Sequence, residues 1–199
     1  MYLPEAISQF TDYLKYQKRY SAHTLRSYAD DLTQFHDYII SEFEDMPVKE
    51  LTSAVVRSWL ASLKDNELAA RSINRKISSL KSFFKYHIRI GTVSHTPMSQ
   101  VTAPKIPHRL PVFVKQEETA TLFKDVEFTD DWKGKTDRLL IWLLYNTGLR
   151  SAELVSLKES QVDASRKIIK VLGKGNKERV IPVSSDLLNE IQQYITGKK

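Results

Sequence analysis

Arg150 is the residue of this sequence whose type and setting point most directly to chemistry on a phosphate. It follows the helix-breaking Gly148 and precedes Glu153 by three residues. A carboxylate one helical turn away can hold an arginine in place, and the planar guanidinium then matches two phosphate oxygens. An ion pair on a helix surface would give the same pattern, so the segment alone leaves phosphate binding and surface pairing equally open.

Lys174 is a second candidate, because it lies between Gly173 and Gly175 at the tip of a predicted hairpin. Glycines allow the backbone to turn sharply, and a lysine on such a tip can reach into a groove and give a proton to a leaving oxygen. Taken alone, a turn whose charges serve solubility explains the tip slightly better. The spacing of a Walker phosphate loop is absent.

The elements around these residues change character along the second half of the chain. Helical segments are predicted to begin at 115–118, to run over 137–145 and 151–157, and to follow Ser184 or Ser185 as an N-cap. Gly148 separates the helical segment 137–145 from the helical segment 151–157. Segments 167–172 and 179–183 predict the two strands of the hairpin.

Four helices are predicted in the first hundred residues. Pro4 suits the first turn of the first helix, Ser21 is a good N-cap for the second, the third covers about 53–64 and the fourth runs over about 70–90 to Gly91. Apolar residues recur along the first three at three- and four-residue spacing: Ile7, Phe10, Tyr13, Leu14, Leu25, Tyr28, Leu32, Phe35, Ile39, Val56, Trp59, Leu60 and Leu63.

The fourth helix is predicted to have one apolar face and one basic face. The apolar face carries Ile73, Ile77, Leu80, Phe84 and Ile88, and the opposite face carries Arg71, Arg75, Ser78, Ser82, Lys85 and Arg89. A helix with such a stripe fits the DNA major groove, where it supplies phosphate and base-edge contacts. A solvated Lys/Arg face is the alternative, although solvated helices usually mix charge signs.

The net charge of +6 is concentrated in blocks. No Asp or Glu occurs from Leu68 to Gln116, a span with Lys76, Lys81 and seven further Lys or Arg residues, nor over 166–177. Blocks of this kind favour a polyanionic partner such as nucleic acid over an ordinary solvated surface. Residues 92–111 contain four prolines and predict a basic linker, which could lie along DNA or serve as a plain spacer.

Composition excludes several other classes of function. The chain of 199 residues suits one large domain or two small ones, and its 41% hydrophobic residues suffice for real cores. Having no cysteine, it has no disulfide, thiol nucleophile or thiolate zinc site. It lacks an apolar run of membrane-spanning length and the pattern of a signal peptide. We therefore expect a cytoplasmic, nucleoid-associated protein without a membrane partner.

Taken in order, the basic helical region, the basic linker and segments 147–154 and 173–179 resemble the tyrosine recombinase (phage integrase) family, most closely its Xer-type members. Ser21, Thr24, Tyr28 and Leu32 resemble the family's second helix, and Ser72, Arg75, Phe83 and Phe84 its fourth. The resemblance implies a mainly α protein of two domains that clamp a DNA duplex. These are a four-helix, SAM-like core-binding domain over 1–91 and, after a linker over 92–111, the N-terminal part of an α+β catalytic domain with a β-hairpin over 112–199.

The resemblance also implies residue roles and partners. In the family a tyrosine attacks the scissile phosphate and forms a 3′-phosphotyrosine bond; Arg150 would stabilise the phosphoryl oxygens, Glu153 would support it, and Lys174, or else the nearby Lys177, would be the general acid. No metal or cofactor is implied. The partners would be a double-stranded recombination site and further recombinase protomers, as a tetramer on two duplexes. Candidate DNA contacts are Thr24, Arg26, Ser27, Arg71, Ser72, Arg75, Ser78, Lys81, Lys177 and Arg179.

The sequence departs from the family after the hairpin. The family's His-x-x-Arg motif and late tyrosine are not found, since His108 is the last histidine and Tyr194 lies in the helix that directly follows the hairpin, where packing is expected. We therefore expect a truncated recombinase that binds DNA without cleaving it, whether its parent resolves chromosome dimers or integrates a mobile element. A naturally non-catalytic DNA-binding accessory protein is the alternative. A helical protein-interaction module is a weaker one, since it leaves the acid-free span unexplained.

Overall fold

The structure is a computed structural model that describes residues 1–107, 127–173 and 177–197. The chain divides into two compact units, Met1–Leu110 and Pro111–Lys199. No helix of the described ranges is both long and apolar enough to cross a membrane. The predicted start of a helix at 115–118 lies outside the described residues.

The N-terminal unit is built from helices. They are α1 (Leu3–Asp12), continued by a π-helical turn (Tyr13–Gln17), α2 (Ala22–Glu42), a 3-10 turn (Val48–Glu50), α3 (Ser53–Asp65) and α4 (Ala70–Arg89). The Ser21 hydroxyl accepts from the Thr24 N–H at 3.3 Å, which confirms the predicted N-cap of α2. Gly91 takes φ +78 just after α4, where left-handed backbone favours glycine.

The core of the N-terminal unit lies between its helices and includes part of the predicted linker. Phe10, Phe35 and Trp59 are almost fully buried there. Val93, Met98 and Val101 belong to the same cluster. The chain after α4 is tied down further, since the Asn74 amide donates to the Pro104 carbonyl and the Ser53 hydroxyl to that of Pro97. The first part of segment 92–111 therefore packs on the helical unit.

The apolar face of α4 is rotated from the predicted one. Ile73, Ile77, Leu80 and Phe84 are buried as predicted, but Ile88 is 38% exposed, so its prediction as a core residue is wrong. Phe83 and His87 are buried in its place. His87, three residues after Phe84, remains on the buried side of α4. Ile88, four residues after Phe84, lies on the other side of Phe84 and therefore at the edge of the apolar face.

The C-terminal unit combines helices with a small sheet. Its described elements are α5 (Trp132–Thr147), α6 (Ser151–Val155), a 3-10 turn (Glu159–Gln161), β1 (Val162–Asp163), β2 (Ile168–Leu172), β3 (Glu178–Pro182) and α7 (Ser185–Gly197). Asp131 caps α5 by accepting from the Gly134 N–H at 2.8 Å. Ser184, one of the two predicted caps, accepts from the Leu187 N–H at the start of α7.

The predicted hairpin is confirmed and gains a third strand. The order is β1-β2-β3, with both pairs antiparallel and Ile169 opposite Ile181. Strand β1 is only two residues long, too short for its alternation to be visible in the sequence. Ile169 and Val171 point into a core with Leu143 and Leu187. Within the described residues β3 is an edge strand, and its Val180 is 53% exposed.

Candidate functional site

The best-defined polar site of the C-terminal unit is a carboxylate shared by two arginines. Glu153 is buried and accepts from the Arg150 backbone N–H at 2.8 Å and from Arg150 Nη1 at 2.8 Å. Its Oε2 also accepts from Arg179 Nη2 at 2.7 Å. The Arg150 side chain remains 65% exposed and that of Arg179 40% exposed. One end of the Arg150 guanidinium is thus fixed while its other donors face outward.

Local sequence explains why Arg150 stands where it does. Gly148 ends α5 with φ +60, and its N–H donates to the Leu144 carbonyl. Leu149 is then buried, and this anchors the chain immediately before Arg150. Arg150 is the extended N-cap residue directly before α6, so the Glu153 carboxylate in the first turn accepts from its backbone N–H. A glycine break followed by a short capped helix thus presents the arginine.

The electrostatics keep Glu153 charged. The backbone hydrogen bond from Arg150 lowers the pKa of Glu153 most, and the Arg150 side chain and the charge of Arg179 lower it further against the opposing effect of burial. One negative charge between two guanidinium groups leaves a local excess of positive charge. Such an arrangement attracts a singly charged anion such as a phosphodiester.

The hairpin base lies beside this carboxylate. The Gly173 N–H donates to the Lys177 carbonyl at 2.7 Å and closes the turn. A Cβ added at Gly173 would lie 3.7 Å from Glu153 Oε1, an ordinary contact distance, and 3.3 Å from the Lys177 carbonyl oxygen, which is tight. Lys174 lies outside the described residues, and Lys177 is exposed. No local sequence pattern indicates the pairing of Arg179 with Glu153, because the two are 26 residues apart.

A second polar cluster joins α2 to α4 in the N-terminal unit. Asp31 is buried and accepts from Arg75 Nη1 at 2.6 Å, Lys76 Nζ at 2.9 Å and Ser79 Oγ at 2.7 Å. Arg75 Nη1 also donates to Ser27 Oγ at 2.8 Å. Two predicted DNA contacts, Ser27 and Arg75, therefore meet on one surface, and the Arg75 side chain is 49% exposed there.

Lys76 does not contribute to a basic surface, although the sequence analysis counted it in the acid-free span. It is 3% exposed, and it donates to Asp31 and to Gln34 Oε1. The acid that it pairs with is on another helix, so a count along the chain could not find it. Asp31 itself left a signal, because an acidic residue three positions after Tyr28 and four before Phe35 falls in the apolar repeat of α2.

The other predicted DNA contacts of the N-terminal unit lie on α2 or α4. Arg71, Ser78 and Lys81 are exposed, and Thr24 and Ser72 are half-buried. Arg26 is exposed and 3.9 Å from Asp30, an ion pair in full contact with solvent. These residues stay predictions as DNA contacts.

Tyr194 is part of the packing of the C-terminal unit. Its ring stacks on Trp132 with the centroids 4.4 Å apart, and its hydroxyl lies 2.9 Å from that of Thr136. Both contacts join α7 to the first turns of α5. This agrees with the expectation that Tyr194 is a packing residue.

The two units define a class of protein in which a helical domain precedes an α+β domain that presents an anchored arginine. The model of the phage integrase N-terminal SAM-like domain matches residues 7–91, and that of the phage integrase family matches residues 113–199. The chain belongs to the phage integrase, or tyrosine recombinase, family. This confirms the resemblance and the mainly α fold expected from the sequence.

Curated relatives are similar over most of this chain. Tyrosine recombinase XerC of Staphylococcus saprophyticus is 40% identical over 186 residues, which is 94% of this chain and 62% of the relative. XerC of Staphylococcus aureus is 38% identical over the same share of this chain and 61% of the relative. The chain thus spans less than two thirds of the length of these relatives.

Solved structures share the fold. The Tn1549 transposon integrase in complex with a circular intermediate DNA has a TM-score of 0.75 at 15% identity, covering 100% of this chain and 66% of that one. A lambda integrase tetramer bound to a Holliday junction has a TM-score of 0.72 at 20% identity, covering 99% and 56%. At these identities the likeness is one of fold.

Proposed function

We propose that this chain is the DNA-clamping part of a site-specific tyrosine recombinase, with Arg150 as the first catalytic arginine. The observation that carries the proposal is the exposed guanidinium of Arg150, fixed at one end by the buried Glu153. Fixed donors stabilise the charge that develops on a phosphoryl oxygen without having to reorganise. The DNA-bound integrases that share its fold support duplex DNA as the substrate.

Residue roles follow from this proposal. Arg150 binds the scissile phosphate, Glu153 positions it, and Lys174 or Lys177 protonates the departing 5′-oxygen. In the intact recombinase a tyrosine forms the 3′-phosphotyrosine link, and further protomers complete a tetramer on two duplexes. Because bond energy is kept in the covalent link, the chemistry needs no metal or nucleotide.

We further propose that these 199 residues bind DNA without cleaving it. The family's His-x-x-Arg motif is not found after the hairpin, since His108 is the last histidine. A natural accessory protein that keeps the clamp without the nucleophile fits the same absence. The reading frame after the codon for Lys199 separates the two: a frame that continues into His-x-x-Arg and a late tyrosine supports the recombinase.

A pool of nicked duplexes with randomised sequence, in which a cleaved end cannot religate, tests both parts of the proposal. We expect a retarded complex whose affinity falls steeply with salt, and no protein–DNA adduct after denaturation. A covalent adduct would overturn the claim that the chain does not cleave DNA. Binding that is absent, or indifferent to salt, would overturn the DNA clamp itself.

A further inference from the structure

A cavity of about 420 Å³ opens in the N-terminal unit where the end of α1, the start of α2 and the end of α4 meet. We call it the tyrosine cavity, because its lining includes Tyr13, Tyr20, Tyr28 and Tyr86. Tyr13 stacks on Tyr86 with centroids 4.7 Å apart, and Tyr20 lies parallel to Tyr28 at 6.4 Å. The walls are therefore flat ring faces and edges already in contact with one another.

Among the residues that the structure describes, three cations line the tyrosine cavity and no acidic residue does. They are Lys18, Lys85 and Arg89, and none of them forms an ion pair within the described parts of the chain. Like charges gathered around one space repel each other until an anion enters it. The cavity therefore has the charge of an anion site.

Two of the cations act on one phenol. Arg89 Nη1 donates to the Tyr13 hydroxyl at 3.0 Å, and Lys18 Nζ lies 5.8 Å from the centre of that ring. Burial pushes the pKa of Tyr13 upward, but hydrogen bonds and charge from Arg89 and Lys18 outweigh it and hold the pKa below its ordinary value. The phenol of Tyr13 is thus a sensitive reporter of charge in the cavity.

The backbone is irregular where it borders the cavity. The end of α1 widens into the π-helical turn, a geometry often found at functional sites. Arg19 then takes φ +52, in the left-handed region that side chains other than glycine seldom adopt. This strained turn connects Lys18 to Tyr20 and brings both to the cavity wall.

Packing alone explains only part of this arrangement. Arg89 lies in the last turn of α4, where a cation is favourable, and its guanidinium is 4.4 Å from the centre of the Tyr13 ring. Lys85 has no such contact within the described residues, yet it lines the cavity. Ser82 and Tyr28, which meet at 3.4 Å, also line it and connect it to the α2–α4 surface of Ser27 and Arg75.

We propose that the tyrosine cavity binds one backbone phosphate of DNA through Lys18, Lys85 and Arg89, with the adjoining sugar against Tyr20. The assignment rests on the proposed DNA binding and extends the contact surface of α2 and α4 to the end of α1. An aromatic side chain beside cations can contact the sugar attached to the phosphate as well, so the cavity suits a nucleotide unit better than a bare inorganic anion. Tyr20 is 42% exposed and so is open to such contact.

Salt titration of DNA affinity tests the phosphate contact. Each neutralised phosphate contributes about −0.9 to the slope of log affinity against log salt on duplex DNA. We expect Lys85→Ala to bind a 20-base-pair duplex several-fold more weakly, with a slope smaller by about one. Lys49→Ala removes the same charge from an exposed site on the 3-10 turn away from the cavity and should match the parent protein.

The NMR signals of the tyrosine rings provide a second measurement, because the signal of the Tyr13 ring is not shifted by a change of charge far from the cavity. The Tyr13 signal, assigned with Tyr13→Phe, should shift when the duplex is added to the parent protein and stay in place in Lys85→Ala. Thymidine 3′,5′-bisphosphate serves as the free-nucleotide probe. A Tyr13 signal that responds to it but not to the duplex would assign the cavity to a free nucleotide and overturn the DNA contact.

The two proposals fail in different ways. Equal slopes for Lys85→Ala and Lys49→Ala, in a chain that still binds the duplex with steep salt dependence, would remove the tyrosine cavity from the DNA surface and leave the proposed function intact. A parent chain that does not bind the duplex at all would remove both.

Discussion

Asp31 accepts hydrogen bonds from three side chains of a neighbouring helix, so its carboxylate links α2 to α4. Lys76 is buried as well; its ammonium donates to Asp31 and Gln34 and lies 5.9 Å from the centre of the Trp59 ring. A buried ion pair contributes little net stability when intact, but loss of one partner leaves the other charge uncompensated. The cost of losing Asp31 is therefore set by Lys76.

We expect Asp31→Ala to lower the free energy of unfolding of the N-terminal unit by about 3–5 kcal/mol, since it leaves the ammonium of Lys76 buried and unpaired. Urea titration followed by circular dichroism measures the change. Asp30→Ala is the matched control, because Asp30 is exposed and 3.9 Å from Arg26, and its loss should cost less than about 0.5 kcal/mol. Equal losses in the two variants would contradict the burial argument.

Glu153, like Asp31 in the N-terminal unit, is a buried carboxylate that accepts hydrogen bonds from two cationic side chains. The two arginines around Glu153 remain open to solvent. The contribution of Glu153 to stability is full above the pKa of about 4.3 usual for an unfolded glutamate. It is lost as the pH falls through the lowered pKa of the folded state. The anchoring of Arg150 is therefore unaffected by pH across the neutral range.

At the scale of elements, Gly148 is the position on which the presentation of Arg150 depends most. Its φ of +60 ends α5 in the left-handed conformation, and a Cβ there would meet no atom within 4 Å. A substitution at Gly148 is therefore opposed by backbone strain alone. Space around the residue plays no part.

We expect Gly148→Ala to lower the free energy of unfolding of the C-terminal unit by about 1 kcal/mol. Gly148→Asn should cost less, because asparagine tolerates the left-handed region. Chemical denaturation of both variants measures the difference. If the asparagine variant proves the less stable of the two, strain at this residue is not what limits the substitution.

Elements were predictable from the sequence where a local signal defines them. The Ser21 cap, the glycine that ends α4 and the alternation of β2 and β3 are all local. What local patterns could not supply was pairing across the fold. The pair of Arg179 and Glu153 joins residues 26 positions apart, and the pair of Lys76 and Asp31 joins residues 45 positions apart. Strand β1 is formed by its pairing with β2. Much of the candidate site's chemistry therefore appeared only with the tertiary structure.

On the scale of the whole N-terminal unit, His87 joins the last turn of α4 to α1. It is fully buried, its Nε2 donates to the Ala6 carbonyl at 3.1 Å, and its Nδ1 is buried without a partner in the described ranges. Burial lowers the pKa of His87, against the weaker opposing effect of the bond to Ala6. The folded unit therefore holds the neutral ring.

The unfolded chain takes up a proton at this histidine near pH 6.5, whereas the folded chain resists it. His87 should thus contribute its full stability above that pH and lose it as the pH falls toward the lowered folded pKa, by at most about 1.4 kcal/mol per pH unit. Urea unfolding between pH 5 and pH 8 measures the slope. His87→Gln should flatten it, while the exposed His95→Gln should leave it unchanged; a slope that persists in His87→Gln would place its origin elsewhere.

Strand β3 has a consequence for how this chain behaves in concentrated solution. As the edge of the sheet in the described part of the chain, it offers unpaired backbone groups to a strand of another molecule, with Val180 exposed at its centre. Pro182 lacks an N–H at one end, and charged Glu178 and Arg179 stand at the other. Residues of these kinds discourage strand-to-strand addition. The chain thus carries its own resistance to aggregation at the strand that also bears the second arginine of its candidate site.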